Sequence, residues 1–545
     1  MASHVTPLSA LAVAVIGITL YLLVKPKLSK NDVDSQFLNS LPVVGVRREL
    51  FAWARASLRS YYDTKDWIFY GYFKYSKANQ PFVIPSLDRG PMVVVPPRQI
   101  KKLYDLPEDV LDIHTTQNVT IQTRWTIKDQ EVADNDFQIN VVRHQITRNL
   151  GTLTPVIARE LKLGFERWWG TETQEWKEVK IWDSCLKLVA GASNGAFCGT
   201  PLCRDGEFLE MLRDHGITVF AGALFINSTP KPLRPIAGKL VSMSCNYYFK
   251  KALKLSLPIV KERLDNTANL KANPHCDWTP PKDGLQWLID ECYASGDAAQ
   301  LDPERVCFRL LFVNDISLHS TAYTAHNVIL DVWTTDPSSG VVEALREECE
   351  TVFKQFGGVW TREAITKLKL LDSAIRESMR LAPFASVGLP RRVIHPDGVM
   401  LKSPELHLPQ GSMLAIPIEA IHQDNDIYPE ARRFDAFRFA RSSGVTDILS
   451  SATFADSAEK AEKADAEPNN HRSTVTLDNA FLGFGFGKHA CPGRFFALNE
   501  LKIFMAHLLL NYDVQYMKSR PPLTNRIWLK YPQDVPVRVR RRVGT

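Results

Sequence analysis

The stretch FGFGKHACPGRFF, Phe484 to Phe496, puts one cysteine inside a glycine-rich, cationic loop near the end of a 545-residue chain. A thiolate that binds iron needs positive charge nearby and backbone N–H groups aimed at its sulfur, because an unmoderated thiolate is protonated or oxidised. Gly485, Gly487 and Gly493 allow the backbone that close approach. Lys488, His489 and Arg494 supply charge or hydrogen bonds, and Phe484 and Phe486 can screen the sulfur from water. Such a loop can serve Cys491 as a ligand, and an ordinary buried cysteine is the alternative.

The rest of the chain limits what such a ligand can serve. With 45% hydrophobic and 23% charged residues the chain has a large core and is not a disordered protein. The 66 Lys and Arg against 60 Asp and Glu leave a net charge of +6 with no basic tract, which argues against nucleic acid as a partner. The nine cysteines show no CxxC pairing or zinc-finger spacing, and their odd number speaks against a complete disulfide framework. A reducing compartment is expected for the main body.

At the N-terminus, Leu8 to Val24 is free of charge for 17 residues, roughly 25 Å as a helix, and Lys25, Lys27 and Lys30 follow at once. A cleaved signal peptide has its charge before the apolar run, so an uncleaved transmembrane helix is expected. The lysines place the chain after residue 30 in the cytosol by the positive-inside rule. The alternative is a buried core helix. We expect two parts, a membrane anchor over residues 1–30 and a catalytic body over residues 31–545.

Apolar residues at three- and four-residue spacing in LGFERWWG, FLEMLRDHGITVF and LKLLDSAIRESMRL predict helices over most of residues 150–381. PMVVVP, RRVIHP and the alternating VPVRVRRRV predict strands. The fold class is mainly α with small β-sheets. NTANLKANPHCDWTPPKDG and SSATFADSAEKAEKADAEPNNHRS read as loops.

Phe484, Gly487, Cys491 and Gly493 match F-x-x-G-x-x-x-C-x-G, and in this the chain resembles the cytochrome P450 haem-thiolate monooxygenases. The resemblance implies the cytochrome P450 fold, haem b with Cys491 as axial thiolate, and a Glu-Arg-Arg triad that locks the haem-side core. Glu377 and Arg380 in AIRESMRL and Arg438 in FDAFRF fill that triad, with Ala436 where the family has proline. A carboxylate buried between two arginines is tolerable only when all are paired.

The same resemblance puts NDISLHSTAYTA over the haem, with His319 where the family has an acid and Ser320 and Thr321 at its two threonine positions. His319 could relay protons or be held structurally inside the helix bundle, and the alcohols could bond back to the preceding turn. This His-alcohol pair is similar to fungal ent-kaurene-oxidase-like members. For the two propionates the resemblance implies Arg143, Arg391 (with Arg392 as rival) and His489. Asn314, Leu318 and Ser386 to Leu389 are expected to face the substrate.

The resemblance further implies an endoplasmic reticulum enzyme with one membrane span, whose partner is NADPH-cytochrome P450 reductase docking on the cations around Lys488 and Arg494. A hydrophobic secondary metabolite of terpenoid, indole-diterpene or polyketide origin is the expected substrate. Alternatives of other kinds are an isomerase or lyase of the same family and a non-catalytic haem-binding sensor.

Overall fold

Nine helices of 13 residues or more organise the chain, in a computed structural model that describes residues 35–135, 137–402, 405–440 and 473–543. They are α1 (Ala52–Lys74), α2 (Leu150–Trp168), α3 (Ile181–Phe197), α4 (Gly206–Ser228), α5 (Arg234–Ala272), α6 (Pro303–Val332), α7 (Val341–Gln355), α8 (Lys369–Leu381) and α9 (Arg494–Asn511). Local chemistry starts several of them. The Asp302 carboxylate accepts from the Arg305 N–H at 2.8 Å with Pro303 in the first turn of α6, and Asp205 accepts from Phe208 N–H at 2.9 Å at the start of α4.

The strands are short. A five-stranded sheet runs in the order Phe82–Ile84, Met92–Val94, Met413–Ile416, Gly388–Val393, Leu111–Asp112, parallel only between its second and third members. At the C-terminus Pro536–Arg541 is the centre of a three-stranded sheet between Lys177–Lys180 and Tyr512–Val514. Its alternation is read out directly, with Val537 and Val539 buried and Arg538 exposed. The mainly helical architecture with small sheets agrees with the sequence reading.

One loop boundary is corrected. The segment read as a loop from Asn266 to Gly284 is helical as far as Ala272, where α5 ends. Tertiary contacts extend that helix: Arg263 makes two hydrogen bonds to Asp283, at 2.6 and 2.8 Å, and Gln286 donates to the Thr267 hydroxyl at 3.0 Å. The Ala/Ser/Glu-rich loop lies outside the described residues except at Ser473, as does the apolar run Leu8 to Val24. No helix among the described residues is long and apolar enough to cross a membrane.

Buried side chains form two large clusters. One gathers around α2, α3, α6, α8 and α9, the other between α1 and the five-stranded sheet. The cysteine loop joins them, since Phe484 packs on the first and Phe486 on the second. That position holds the loop from both sides.

Candidate active site

Cys491 closes a tight turn of backbone. Its N–H donates to the Phe484 carbonyl at 2.8 Å, and Gly485 and Gly487 take φ of 81° and 68°, a left-handed region that side chains disfavour. A Cβ on Gly487 would also stand 3.5 Å from the Tyr104 carbonyl. The turn runs into α9, so the N–H groups of Gly493 and Arg494 at the helix start point to the sulfur. Burial pushes the Cys491 thiol up, while those two amides and the Arg494 guanidinium pull it down. The Arg494 side chain also donates to the Cys491 carbonyl at 3.0 Å.

Behind the loop, Glu377, Arg380 and Arg438 meet in full burial. Arg380 forks onto both carboxylate oxygens of Glu377 at 2.7 and 2.8 Å, and Arg438 Nε lies 3.0 and 3.1 Å from the same two oxygens. The remaining guanidinium donors go to carbonyls: Arg380 to His422 and Ala431, Arg438 to Pro429 and Arg433. His422, which sequence reasoning passed over, ties this cluster to the cysteine loop. Its Nε2 accepts from the Leu482 N–H at 2.9 Å, so its Nδ1 carries the proton and donates to the Arg380 carbonyl at 3.1 Å. Burial together with the Arg380 charge depresses the ring to about 3, and the imidazole stays neutral.

The cations expected at the propionates fall in different settings. Arg391 is buried on the inner side of its strand and Arg392 is half-buried, which separates the two rivals. The Arg391 guanidinium donates to the Pro390 carbonyl at 2.9 Å and lies over the Tyr104 ring, yet makes no ion pair among the described residues. Desolvation lowers its pKa. His489 Nε2 is 3.1 Å from Glu108 Oε1 but not aligned for a hydrogen bond, and remains a buried nitrogen without one. Lys488 reaches the same carboxylate at 3.5 Å. Arg143 is exposed on a π-helical turn, Val141–Ile146, whose Val142 would lie 3.6 Å from a Cβ on Gly493.

Of the 30 residues in α6, 21 are buried, and the exposed break in that burial falls at Ile316 and Ser320, with Ser317 and Thr324 half-exposed beside them. Phe384, exposed, stacks edge-on against Tyr323 of α6, and the chain from there runs on to Leu389, which would touch a Cβ on Gly485 at 3.4 Å. This segment walls the space between the open face of α6 and the cysteine loop. Of the expected substrate-facing residues only Leu389 is partly exposed, and the others turn into the core. Asn314 accepts from the Asn194 amide at 2.8 Å, Leu318 and Val387 are buried, and the Ser386 hydroxyl donates to Glu419 at 2.7 Å.

The three candidate proton groups also separate. Ser320 is exposed and its hydroxyl donates back to the Ile316 and Ser317 carbonyls, both at 3.2 Å. Thr321 is buried. His319 faces α4 instead, with Nε2 3.3 Å from the Arg213 carbonyl, and burial holds its imidazole below the ordinary range. A Cβ on Gly216 of α4 would come within 2.9 Å of that nitrogen. One turn earlier on α6, Asp315 receives His215 Nδ1 of α4 at 3.0 Å from both its oxygens, both residues being buried.

Two features suit a haem carrying propionates: the buried Arg391 cation without an anion, and the unbonded His489 nitrogen. A cysteine sulfur faced by two backbone amides at a helix start, with those two side chains nearby, has the setting of a haem thiolate. Comparison with known proteins gives the same class. The cytochrome P450 family model matches residues 320–534. Cytochrome P450 monooxygenase okaG of Penicillium ochrochloron is 47% identical over 92% of this chain and 93% of its own length. Cytochrome P450 monooxygenase gloP of Glarea lozoyensis is 32% identical over 94% and 93%, and htyF of Aspergillus rugulosus is 32% identical over 94% and 74%. The chain belongs to the cytochrome P450 family and is a monooxygenase of that family.

Proposed function

We propose that this chain is a membrane-tethered monooxygenase that oxidises a hydrophobic natural product, drawing electrons from an NADPH-dependent reductase. The observation that carries the substrate class is the open face of α6, where Ile316 is the large exposed side chain, Phe384 is exposed beside Tyr323, and among the described residues no charged side chain of α6 between Arg309 and Asp331 is exposed. An apolar skeleton suits such a wall, and a charged one would lose its hydration there. The relatives okaG, gloP and htyF are fungal enzymes of the same class.

In this reading Cys491 holds the iron, with the Gly493 and Arg494 amides moderating the thiolate. Arg391 and His489 meet the propionates, and Arg143 stands at the edge of the site. Bound there, haem supplies the activation of dioxygen for insertion into a C–H bond. Ser320 Oγ is the hydroxyl that turns from its backbone carbonyls to hand a proton into the cleft. His319 acts as a clamp, its Nε2 engaged by α4. The membrane tether rests on the uncharged Leu8 to Val24 and on α5, whose outward Ile236, Leu240 and Met243 are 62%, 57% and 69% exposed at helical spacing. Reductase docking is assigned to the face around Lys488 and Arg494.

The test is spectral. The reduced, carbon-monoxide-bound protein is expected to show a strongly red-shifted Soret band that Cys491→Ala removes. Titration of the oxidised protein with terpenoid and polyketide scaffolds should then shift the Soret band. A response to small charged compounds alone would refute the substrate class.

A further inference from the structure

A groove of about 410 Å³ opens between α2, α3 and α4, and shares no residue with the cysteine cleft. Its size falls within the roughly 300–1,000 Å³ of small-molecule sites. Leu186 and Leu188 of α3 form a buried floor, and Leu163 of α2 and Leu209 of α4 are the apolar walls. Gly164 draws two helices together at the base, because a Cβ there would meet Leu188 at 2.9 Å. Trp168 stands at one side with the Lys187 ammonium and the Arg167 guanidinium 4.5 and 4.8 Å from its ring.

The charges of the lining are unequal in their engagement. Four basic side chains, Arg167, Lys187, Arg204 and Arg213, face two acidic ones, Glu160 and Glu210, and with Asp183 and Asp214 counted as partners of Lys187 and Arg213 the charges of the groove and its rim balance, so what distinguishes Arg167 is its place and not a net excess. Arg204 is bound to Glu160 through two hydrogen bonds of 2.8 Å, Lys187 to Asp183 at 2.6 Å, and Arg213 to Asp214 at 3.2 Å. Arg167 makes no ion pair among the described residues. Its guanidinium reaches across to α4, 3.9 Å from a Cβ on Gly206. A planar, always-charged fork left without an anion above an apolar floor is a carboxylate receptor.

We propose that this groove is a second ligand site, which takes an apolar small molecule bearing one carboxylate. The carboxylate lies on Arg167 and the hydrocarbon rests on Leu163, Leu186 and Leu209 beside Trp168. The site goes beyond the oxidation assigned to the cysteine cleft and does not depend on it. Arg213, on its wall, also carries the carbonyl held by His319, so the groove shares α4 with the contact that clamps His319.

The haem-loaded full chain in lipid nanodiscs is titrated calorimetrically with 1-naphthaleneacetate and, in parallel, with its uncharged amide, against empty nanodiscs. We expect the acid to fill one saturable site more than the amide, because the cysteine cleft can take either compound and only the groove discriminates by charge. Arg167→Glu and Leu163→Glu should each weaken that extra site at least tenfold, while the reduced carbon-monoxide spectrum, which reports folding, is unchanged; both side chains are exposed. No saturable binding, equal binding of acid and amide, or unaltered binding to Arg167→Glu would each overturn the proposal.

Discussion

Arg438 and Glu377 are 61 positions apart in the chain, and the Nε of one lies 3.0 and 3.1 Å from both carboxylate oxygens of the other. Arg380 reaches the same carboxylate from the next turn of α8. Truncating Arg438→Ala leaves that carboxylate half-compensated in a dry interior, at a cost of about 3–5 kcal/mol. The urea midpoint is expected to fall and the yield of haem-loaded protein with it. An unmoved midpoint would mean that water reaches Glu377.

The closeness of Gly216 to His319 gives a second prediction. Gly216→Ala places a methyl group 2.9 Å from His319 Nε2 and should cost about 1–3 kcal/mol through overpacking. His319→Ala removes the obstacle, so in the double variant the alanine at 216 should cost much less. A double-mutant cycle on thermal unfolding reads this coupling directly. Simple additivity would show that α4 yields without help.

Ser320 and His319 should differ in how they affect turnover. Ser320→Ala is expected to lower the product formed per NADPH oxidised by roughly a hundredfold, the low end of the scale of a lost proton donor. His319→Ala should leave that ratio nearly intact while lowering stability. Measuring product against NADPH consumption for both variants decides between relay and clamp. Uncoupling in His319→Ala with none in Ser320→Ala would reverse the two roles.

Glu500 gives a pH prediction. Buried in α9 with the Ser193 hydroxyl 2.8 and 3.0 Å from its two oxygens, it is pushed up to about 8 by desolvation, from 4.5. Between those values the unfolded chain has lost a proton that the folded one keeps, so stability falls as pH rises through this window. Glu500→Gln removes the loss. Its stability, read from thermal unfolding, should match the parent near pH 4.5 and exceed it increasingly towards pH 8, by about 3 kcal/mol at pH 7. A constant offset across pH would show that the carboxyl is not protonated in the folded state.

What the sequence disclosed was local. Glu377 and Arg380 sit three apart on one helix, and the cysteine loop carries its glycines and cations within ten residues. The orientation of α6 was another matter. A helix buried over 21 of 30 residues has little polar contrast around its circumference, so its pattern did not tell that Ile316 and Ser320 are open while Asn314 and Leu318 are inside. Partners far apart in sequence were also hidden. His422 joins Arg380 to Leu482, and His215 joins α4 to Asp315, through spacings of 42, 60 and 100 residues that no local pattern marks. The helical end of α5 was missed for the same reason, since its supports at Asp283 and Gln286 lie beyond the next turn of chain.

The buried His215–Asp315 pair has a mechanical consequence. A helix slides past its neighbour in steps of about 5.4 Å, one turn. A step of that size would strip Asp315 of its imidazole partner and strand a carboxylate in a dry interface, at several kcal/mol. The pair therefore works as an axle pin between α4 and α6: it forbids translation, and among the described residues rotation about it has only the longer 3.3 Å polar contact of His319 with the Arg213 carbonyl to break. Traffic to the open face of α6 must come from tilting α4, with the bending taken up where the helix meets Asp205 at one end and Thr229 at the other.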